Sequence, residues 1–232
     1  MEEEIKKICI KLKNILKNLD ENKRYIIGVG GIPGSGKTTF VNNLVKYFNN
    51  ENKENAIIAI SMDGFHIPKY ILNTFYNKEE AYIRRGVYWT FDVNGIINFL
   101  NLLKKPLDST KTIKVPSFDH KIADPIKDDI NIEPFHKIII IEGIYLQLSN
   151  PKPWNQIPLL LDEKWFIPID IEEARDRVSK RHYYSGITKS IEDGVIRFNN
   201  NDMLNAKFIL ENLENNDKDI KYIYINNKNK IN

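Results

Sequence analysis

Five short apolar runs punctuate the chain: 25–30 (YIIGVG), 55–61 (NAIIAIS), 136–143 (HKIIIIEG), 163–169 (EKWFIPI) and 221–226 (KYIYIN). Their hydrophobicity is continuous rather than alternating, which fits strands buried on both faces. The stretches between them are long enough for the crossovers that parallel strands require. "KTTFVNNLVKYFNN" places Phe40, Leu44, Val45 and Phe48 on one helical face, and "VNGIINFLNLL" and "IEEARDRVSKRHYY" also read as helices, with Asp92 and Asp170 as N-caps. At the start, Ile5, Ile8, Leu12, Ile15, Leu16 and Leu19 recur at helical spacing, so 1–20 predicts an amphipathic helix packed on the domain. The alternation predicts an α/β fold: a three-layer, doubly wound parallel sheet of about five strands, binding ligands at the carboxyl ends of its strands.

Length and composition narrow the class without changing it. The 232 residues fit one domain with a small lid, and the Asn- and Lys-rich pieces "KYFNNENKEN", "RFNNND" and "INNKNKIN" read as solvated loops and a frayed end. Lys and Arg total 34 against 31 Asp and Glu, a net charge of +3, too mild to point to nucleic acid or a membrane surface as the main partner. Cys9 is the only cysteine, so an internal disulfide or a cysteine metal cluster is excluded and a reducing compartment fits. No run approaches the ~18 apolar residues of a membrane span. The first residues, MEEE, lack the basic start of a secretory signal, so the expected location is cytoplasmic.

The chemistry begins directly after the first run. Gly31, Ile32, Pro33, Gly34, Ser35, Gly36, Lys37 and Thr38 fit the phosphate-loop pattern G-x-x-x-x-G-K-[ST], with Thr39 following. Glycines let the backbone curl so that its N–H groups face phosphate, and the helix N-terminus behind adds partial positive charge. Lys37 would neutralise the β- and γ-phosphates of ATP, and the Thr38 hydroxyl would ligate Mg²⁺. The four fixed positions match by chance in about one chain in a hundred of this length. Here they also lie between a strand and an amphipathic helix, the context the loop requires. Two other runs end in acids, "SMDGFH" with Asp63 and "IIIIEG" with Glu142. On one sheet edge with the loop, both are site candidates, Glu142 as a ligand of Mg²⁺ or its water. The guanine-specifying N-K-x-D of GTPases is absent, and "DVNG" at 92–95 opens a helix instead of forming a switch.

The ordered series "GIPGSGKTT", "SMDGFH", "RRGVYWTFD", "VPSFDHKIADP", "IIIEGIYL", "DEKWFI", "RHYYSGI" and "NDMLNA", from about residue 24 to 210, resembles the phosphoribulokinase/uridine kinase family of P-loop kinases. It looks most like a uridine-kinase-like branch of largely unassigned substrate. Type I pantothenate kinase, uridine-cytidine kinase and glycerate kinase are more distant. The resemblance implies an ATP- and Mg²⁺-dependent phosphotransferase acting on a hydroxyl of a small metabolite. Asp63 would face that hydroxyl, as general base or by holding a Mg²⁺ water. Phe118, Asp119 and His120 would line the acceptor pocket, with Asp124 a weaker candidate. Arg85, and less so Arg84, would hold an anionic group or pair with surface acids. Asp92 would reach a sugar hydroxyl or cap its helix, while Tyr88, Trp89 and Phe91 pack. The helix near 170–190 would be the lid, its Arg177 and Arg181 closing over ATP and Arg175 left to the surface. Asn201 and Asp202 match a family piece with no physical role attached. Phe118 stands where uridine kinases carry tyrosine, which weakens uridine as acceptor. The acceptor and the oligomeric state stay open, and a nucleotide-binding regulator or slow ATPase is the alternative.

Overall fold

The structure, a computed structural model, describes residues 1–52, 55–213 and 219–225. Its centre is β1 (Tyr25–Gly30), where Ile26, Ile27 and Val29 are inaccessible to solvent. On one side β1 pairs with β5 (Ile138–Glu142), which pairs with β2 (Ile57–Ser61); on the other lie β6 (Glu163–Phe166) and β7 (Ile220–Tyr222). The order β2-β5-β1-β6-β7 is parallel throughout. The connection from β1 runs to β2 on one side and that from β5 runs to β6 on the other, so a crevice opens at the carboxyl ends of β1 and β5. The predicted doubly wound sheet of five strands is therefore present.

Two apolar layers cover it. On one face, α1 (Glu2–Asn18) and α2 (Lys37–Asn52) bring Ile8, Leu12, Phe40, Leu44 and Phe48 onto Ile27, Ile138, Ile140 and Trp165. On the other, α5 (Val93–Lys104) and α8 (Met203–Glu211) bring Ile96, Leu100, Leu103, Ala206 and Ile209 against Ile26, Ile139 and Ile141. Short helices α3 (Lys69–Leu72) and α4 (Lys78–Ile83) lie between β2 and α5 in the chain. α6 (Ile171–Tyr184) and α7 (Ile191–Arg197) follow β6, and Asp170 and Ser190 cap their N-termini with side-chain oxygens. Among the described residues no helix is long and apolar enough to cross a membrane.

Several segments differ from the sequence pattern. β6 stops at Phe166, before Pro168, and not at 169. The predicted last strand shifts to 220–222, and Asn226 with most of "INNKNKIN" lies outside the described residues. A second, two-stranded antiparallel sheet is formed by β3 (Ile113–Asp119) and β4 (Asp124–Ile132). Pro116, a bulge between Val115 and Ser117, and the acids of "DPIKDDINI" break its apolar pattern, so no strand signal stands out. The hairpin is anchored through Val115 and Ile132, both buried in the main core. "RFNNND" is not a solvated loop. It winds as a π-helical turn over Phe198–Asp202, pinned by fully buried Phe198 and by Arg84 Nη1 donating to the Asn200 carbonyl at 2.9 Å.

The hairpin also makes the closest backbone contact in the acceptor half. A Cβ on Gly64, in the turn after β2, would lie 2.3 Å from the Pro116 carbonyl oxygen. Gly64→Ala should therefore push the hairpin away and lower unfolding free energy by about 2 kcal/mol, read from urea denaturation. His182, on α6, is only 6% exposed, and burial together with Arg181 and Arg197 drives its imidazole from 6.5 down to about 4. A depressed histidine favours folding above 6.5, and this contribution is lost as pH falls from 6.5 towards 4. We expect the wild type to lose about 3 kcal/mol more than His182→Leu between pH 7 and pH 4. Paired denaturation curves measure the difference, and parallel curves would reject the linkage.

Candidate active site

The phosphate loop takes the conformation its glycines permit. Gly34 and Gly36 have φ of +84° and +87°, in the region that favours glycine. At Gly34 close approach is added, since a Cβ there would meet the Ala174 carbonyl oxygen and Val178 Cγ2 at 2.9 Å. α6 thus rests on the loop through two buried residues, and Arg177 Nη1 donates to the Gly34 carbonyl at 3.3 Å while its other end pairs with Glu173. Ser35 Oγ is buried without a partner inside the curl. An orphaned donor among inward-facing amides fits a phosphate oxygen.

The sheet register delivers the acids. Glu142 is level with Val29 on one side and Ser61 on the other. Thr38 Oγ1 donates to Glu142 Oε1 at 3.0 Å, and Ser61 also hydrogen-bonds this carboxyl. Burial raises the Glu142 carboxyl above its ordinary value, Lys37 opposes that shift and Asp63 adds to it. Burial lowers the Lys37 ammonium, with Glu142 and Asp63 holding it up and Arg181 pushing it down. A hydroxyl and one or two carboxylates beside a phosphate cradle fit Mg²⁺, which keeps most of its shell as water and substrate oxygen. No cluster of three or more His, Cys, Asp or Glu side chains able to hold a metal occurs among the described residues.

Two connected spaces flank Lys37. A groove of about 150 Å³ is bounded by Gly36, Thr39, Arg177 and Val178. A cleft of about 220 Å³ is bounded by Asp63, His66, Arg85, Glu142, Asn201 and Asp202. Gly34, Lys37, Thr38 and Arg181 line both. Of the residues nominated from the sequence, Asp63, Glu142, Lys37, Thr38, Arg85 and Arg181 thus converge on the cleft.

Several of the residues nominated for the acceptor side stand elsewhere. Asp92 is exposed and accepts from Gly95 N at 2.8 Å as the cap of α5, the second of its two readings. His120 is exposed at the hairpin tip, and Asp119 accepts from Lys121 N at 2.7 Å in the same turn. Neither lines the cleft. Phe118 stands behind it, its ring 4.7 Å from that of His66. Arg85 reaches the cleft wall, but its guanidinium is engaged by Asp124 at 2.7 Å and by the Ala123 and Ile67 carbonyls at 2.7 and 3.1 Å. It ties the hairpin to the turn after β2. Arg175 pairs with Asp176 at the surface, as its sequence neighbours predict.

His66 escaped selection although "SMDGFH" contains it. It packs between Phe91 and Phe118, with centroids at 3.9 and 4.7 Å. Its Nδ1 lies 2.8 Å from the Asp63 carbonyl oxygen. That oxygen can only accept, so Nδ1 carries the proton and Nε2 is an acceptor. Burial, opposed by Asp63, lowers the imidazole pKa and keeps it neutral near pH 7. Asn201 and Asp202 enter the wall from the π-helical turn, an irregularity with no hydrophobic period to reveal it. Asp202 is buried enough that its carboxyl pKa is raised, against the pull of Arg181, Arg197 and Arg84, and one oxygen of each residue has no hydrogen-bond partner, although His182 Nε2 lies 3.9 Å from Asp202 Oδ2.

Known proteins resemble this chain in sequence and in fold. A protein of Schizosaccharomyces pombe described as a candidate uridine kinase is 40% identical over 195 residues, covering 84% of this chain and 82% of that protein. The ATP-dependent kinase YFH7 of Zygosaccharomyces rouxii is 32% identical over 236 residues, covering 88% of this chain and 60% of that longer protein. The crystal structure of YFH7 from Saccharomyces cerevisiae, described as a candidate P-loop kinase with a circular permutation, superposes with a TM-score of 0.84. It covers 95% of this chain and 99% of that one at 24% identity, a likeness of fold. The sequence pattern of the phosphoribulokinase/uridine kinase family matches residues 26–217, and the chain belongs to that family.

Proposed function

We propose that the chain transfers the γ-phosphoryl group of ATP to a hydroxyl of a small, neutral, hydroxyl-rich metabolite. The observation that carries this reading is the shared wall: Lys37, Thr38 and Arg181 face both the phosphate groove and the acid-bearing cleft. A phosphoryl group leaving the groove would stay beside the same cations as it crosses. In the reaction an acceptor oxygen forms a bond to Pγ and the bond from Pγ to the β–γ bridging oxygen breaks, releasing ADP. Asp63 would orient the acceptor hydroxyl and take its proton. Lys37 and Arg181 would bear on the negative charge of the transferring group, and Arg177 would brace the loop. Mg²⁺, held through Thr38 and Glu142, would supply charge neutralisation of the phosphates. Catalysis is then mainly positioning and electrostatics.

The acceptor class follows from the walls. Asp63, His66 Nε2, Asp202 and the Asn201 carbonyl oxygen all accept hydrogen bonds, which calls for several O–H donors on the ligand. On the cleft wall Arg85 is already paired with Asp124, and Arg181 is shared with the phosphate groove. Phe118, Asp119 and His120 would contribute from the hairpin tip only by moving inward as the site closes, and the lid helix would move with them.

The first test is ADP release with Mg-ATP against a panel of neutral polyols, nucleosides and hydroxy acids. A polyol or sugar should stimulate turnover, and Asp63→Asn should lower kcat at least 100-fold with ATP affinity unchanged. Tight ATP binding with no stimulation by any alcohol would instead favour a regulator or slow ATPase. With the acceptor in hand, Asp202→Asn should raise its KM about tenfold and leave the KM for ATP unaltered. Equal effects on both constants would place Asp202 in the lid's support, outside acceptor binding.

A further inference from the structure

At the opposite end of the sheet a second cavity opens, where the turn before β1, the end of α5 and the start of β3 meet. Its volume of about 670 Å³ lies within the ~300–1,000 Å³ of small-molecule sites. Six residues of β1 separate it from the phosphate loop, about 20 Å of extended chain, so it is not part of the cleft. Arg24, Lys105, Lys111 and Lys114 stand on its walls, with Leu102 and Ile113 providing apolar surface. Asp108 is the one acid there, and it is paired with Lys111 at 2.8 Å. The carboxyl end of α5 adds only about half a negative charge. Positive charge predominates on the walls.

The buried Arg24 makes this cavity more than a patch of solvated lysines. The residue is 7% exposed, its Nε makes one long hydrogen bond of 3.3 Å to the His136 carbonyl, and its Nη2 is buried with no partner. Burial lowers its pKa, and no carboxylate acts against that shift. A desolvated guanidinium normally has an anion beside it. Here the anion is missing while an open, cationic cavity adjoins.

We propose that this cavity is a second ligand site, taking a phosphate-bearing small molecule whose anionic group meets Arg24 and the lysines and whose body lies on Leu102 and Ile113. A guanidinium fork with mobile ammoniums suits a multiply charged tetrahedral anion. The concave shape and the chain's net charge of only +3 favour a small ligand over a polyanionic macromolecule.

Because the phosphate loop would take the same anion, the test uses the full chain carrying Lys37→Ala, with pyrophosphate as the calorimetric probe. Pyrophosphate should still bind, and adding Arg24→Met, or Lys105→Glu with Lys114→Glu, should weaken it at least about tenfold. Arg24→Met should keep or raise Tm, since an apolar chain replaces an unpaired buried cation, so loss of binding will not reflect unfolding. Absence of binding to the Lys37→Ala protein, or unchanged affinity after both further substitutions, overturns the proposal. A diphosphorylated metabolite that displaces pyrophosphate would mark the site as one for an organic ligand, whereas displacement by inorganic phosphate alone would reduce it to a simple anion site and overturn the organic part.

Discussion

The alignment of β1 with β5 is the constraint on which the site depends. Parallel pairing sets Val29 opposite Glu142, and the next pairing sets Ser61 opposite the same residue. The loop at 31–38, the acid of β5 and the acid two residues beyond β2 therefore emerge at one level. A slip of one residue between β1 and β5 would turn Glu142 to the opposite face and remove its bond from Thr38, and one between β2 and β5 would move Ser61 and Asp63 out of level with it. Burial guards against that slip, because Ile138, Ile139, Ile140 and Ile141 are all inaccessible and a shift would bring Lys137 or Glu142 into a place now filled by buried isoleucine. The register that places the chemistry is thus enforced by residues that take no part in it.

The phosphate half of the site was legible because backbone conformation and charge are written into residue type. Glycine where φ is positive, lysine and threonine at the helix start, and acids just after apolar runs all have local signatures. Asp63 apart, the acceptor half was legible only through family resemblance, and several of its residues lie off the cleft. Asp92 and Asp119 are spent on local backbone bonds, the common fate of aspartate near turns and helix starts. His120 drew attention through its neighbours, while His66, tucked between two aromatic rings, looked like part of the Asp63 turn. Asn201 and Asp202 lie in a polar stretch whose local pattern reads as loop. Buried Phe198 and Arg84, more than a hundred residues away in the chain, make it a turn facing the cleft. Such long-range contacts have no counterpart in periodicity.

The hairpin shows how the two halves are joined. Gly64 allows the Pro116 carbonyl to approach the turn bearing Asp63, and Arg85 connects that turn to Asp124 and Ala123 at the hairpin end. Arg84, its neighbour in sequence, reaches the other way, to the Asn200 carbonyl and towards Asn205. The two arginines therefore brace opposite walls of one cleft, and neither needs to bind a ligand to be essential to its shape. This accounts for an arginine pair beside an active site without an anionic acceptor.

Charge balance gives the cleft its direction. Lys37 and Arg181 form its cationic side, while Glu142, Asp63 and Asp202 surround them. Glu142 and Asp202 are buried deeply enough that their carboxyl pKa values rise. A raised carboxyl pKa at Glu142 is a measure of a carboxylate short of positive partners, which is the condition a divalent cation relieves. A lowered Lys37 pKa is the converse, an ammonium short of anions, relieved by phosphate. The two strained charges are neighbours, and a metal–nucleotide complex satisfies both together. Under the proposed function, binding of that complex would be favoured over binding of either part alone, and a nucleotide without its metal would leave Glu142 beside the phosphates it repels.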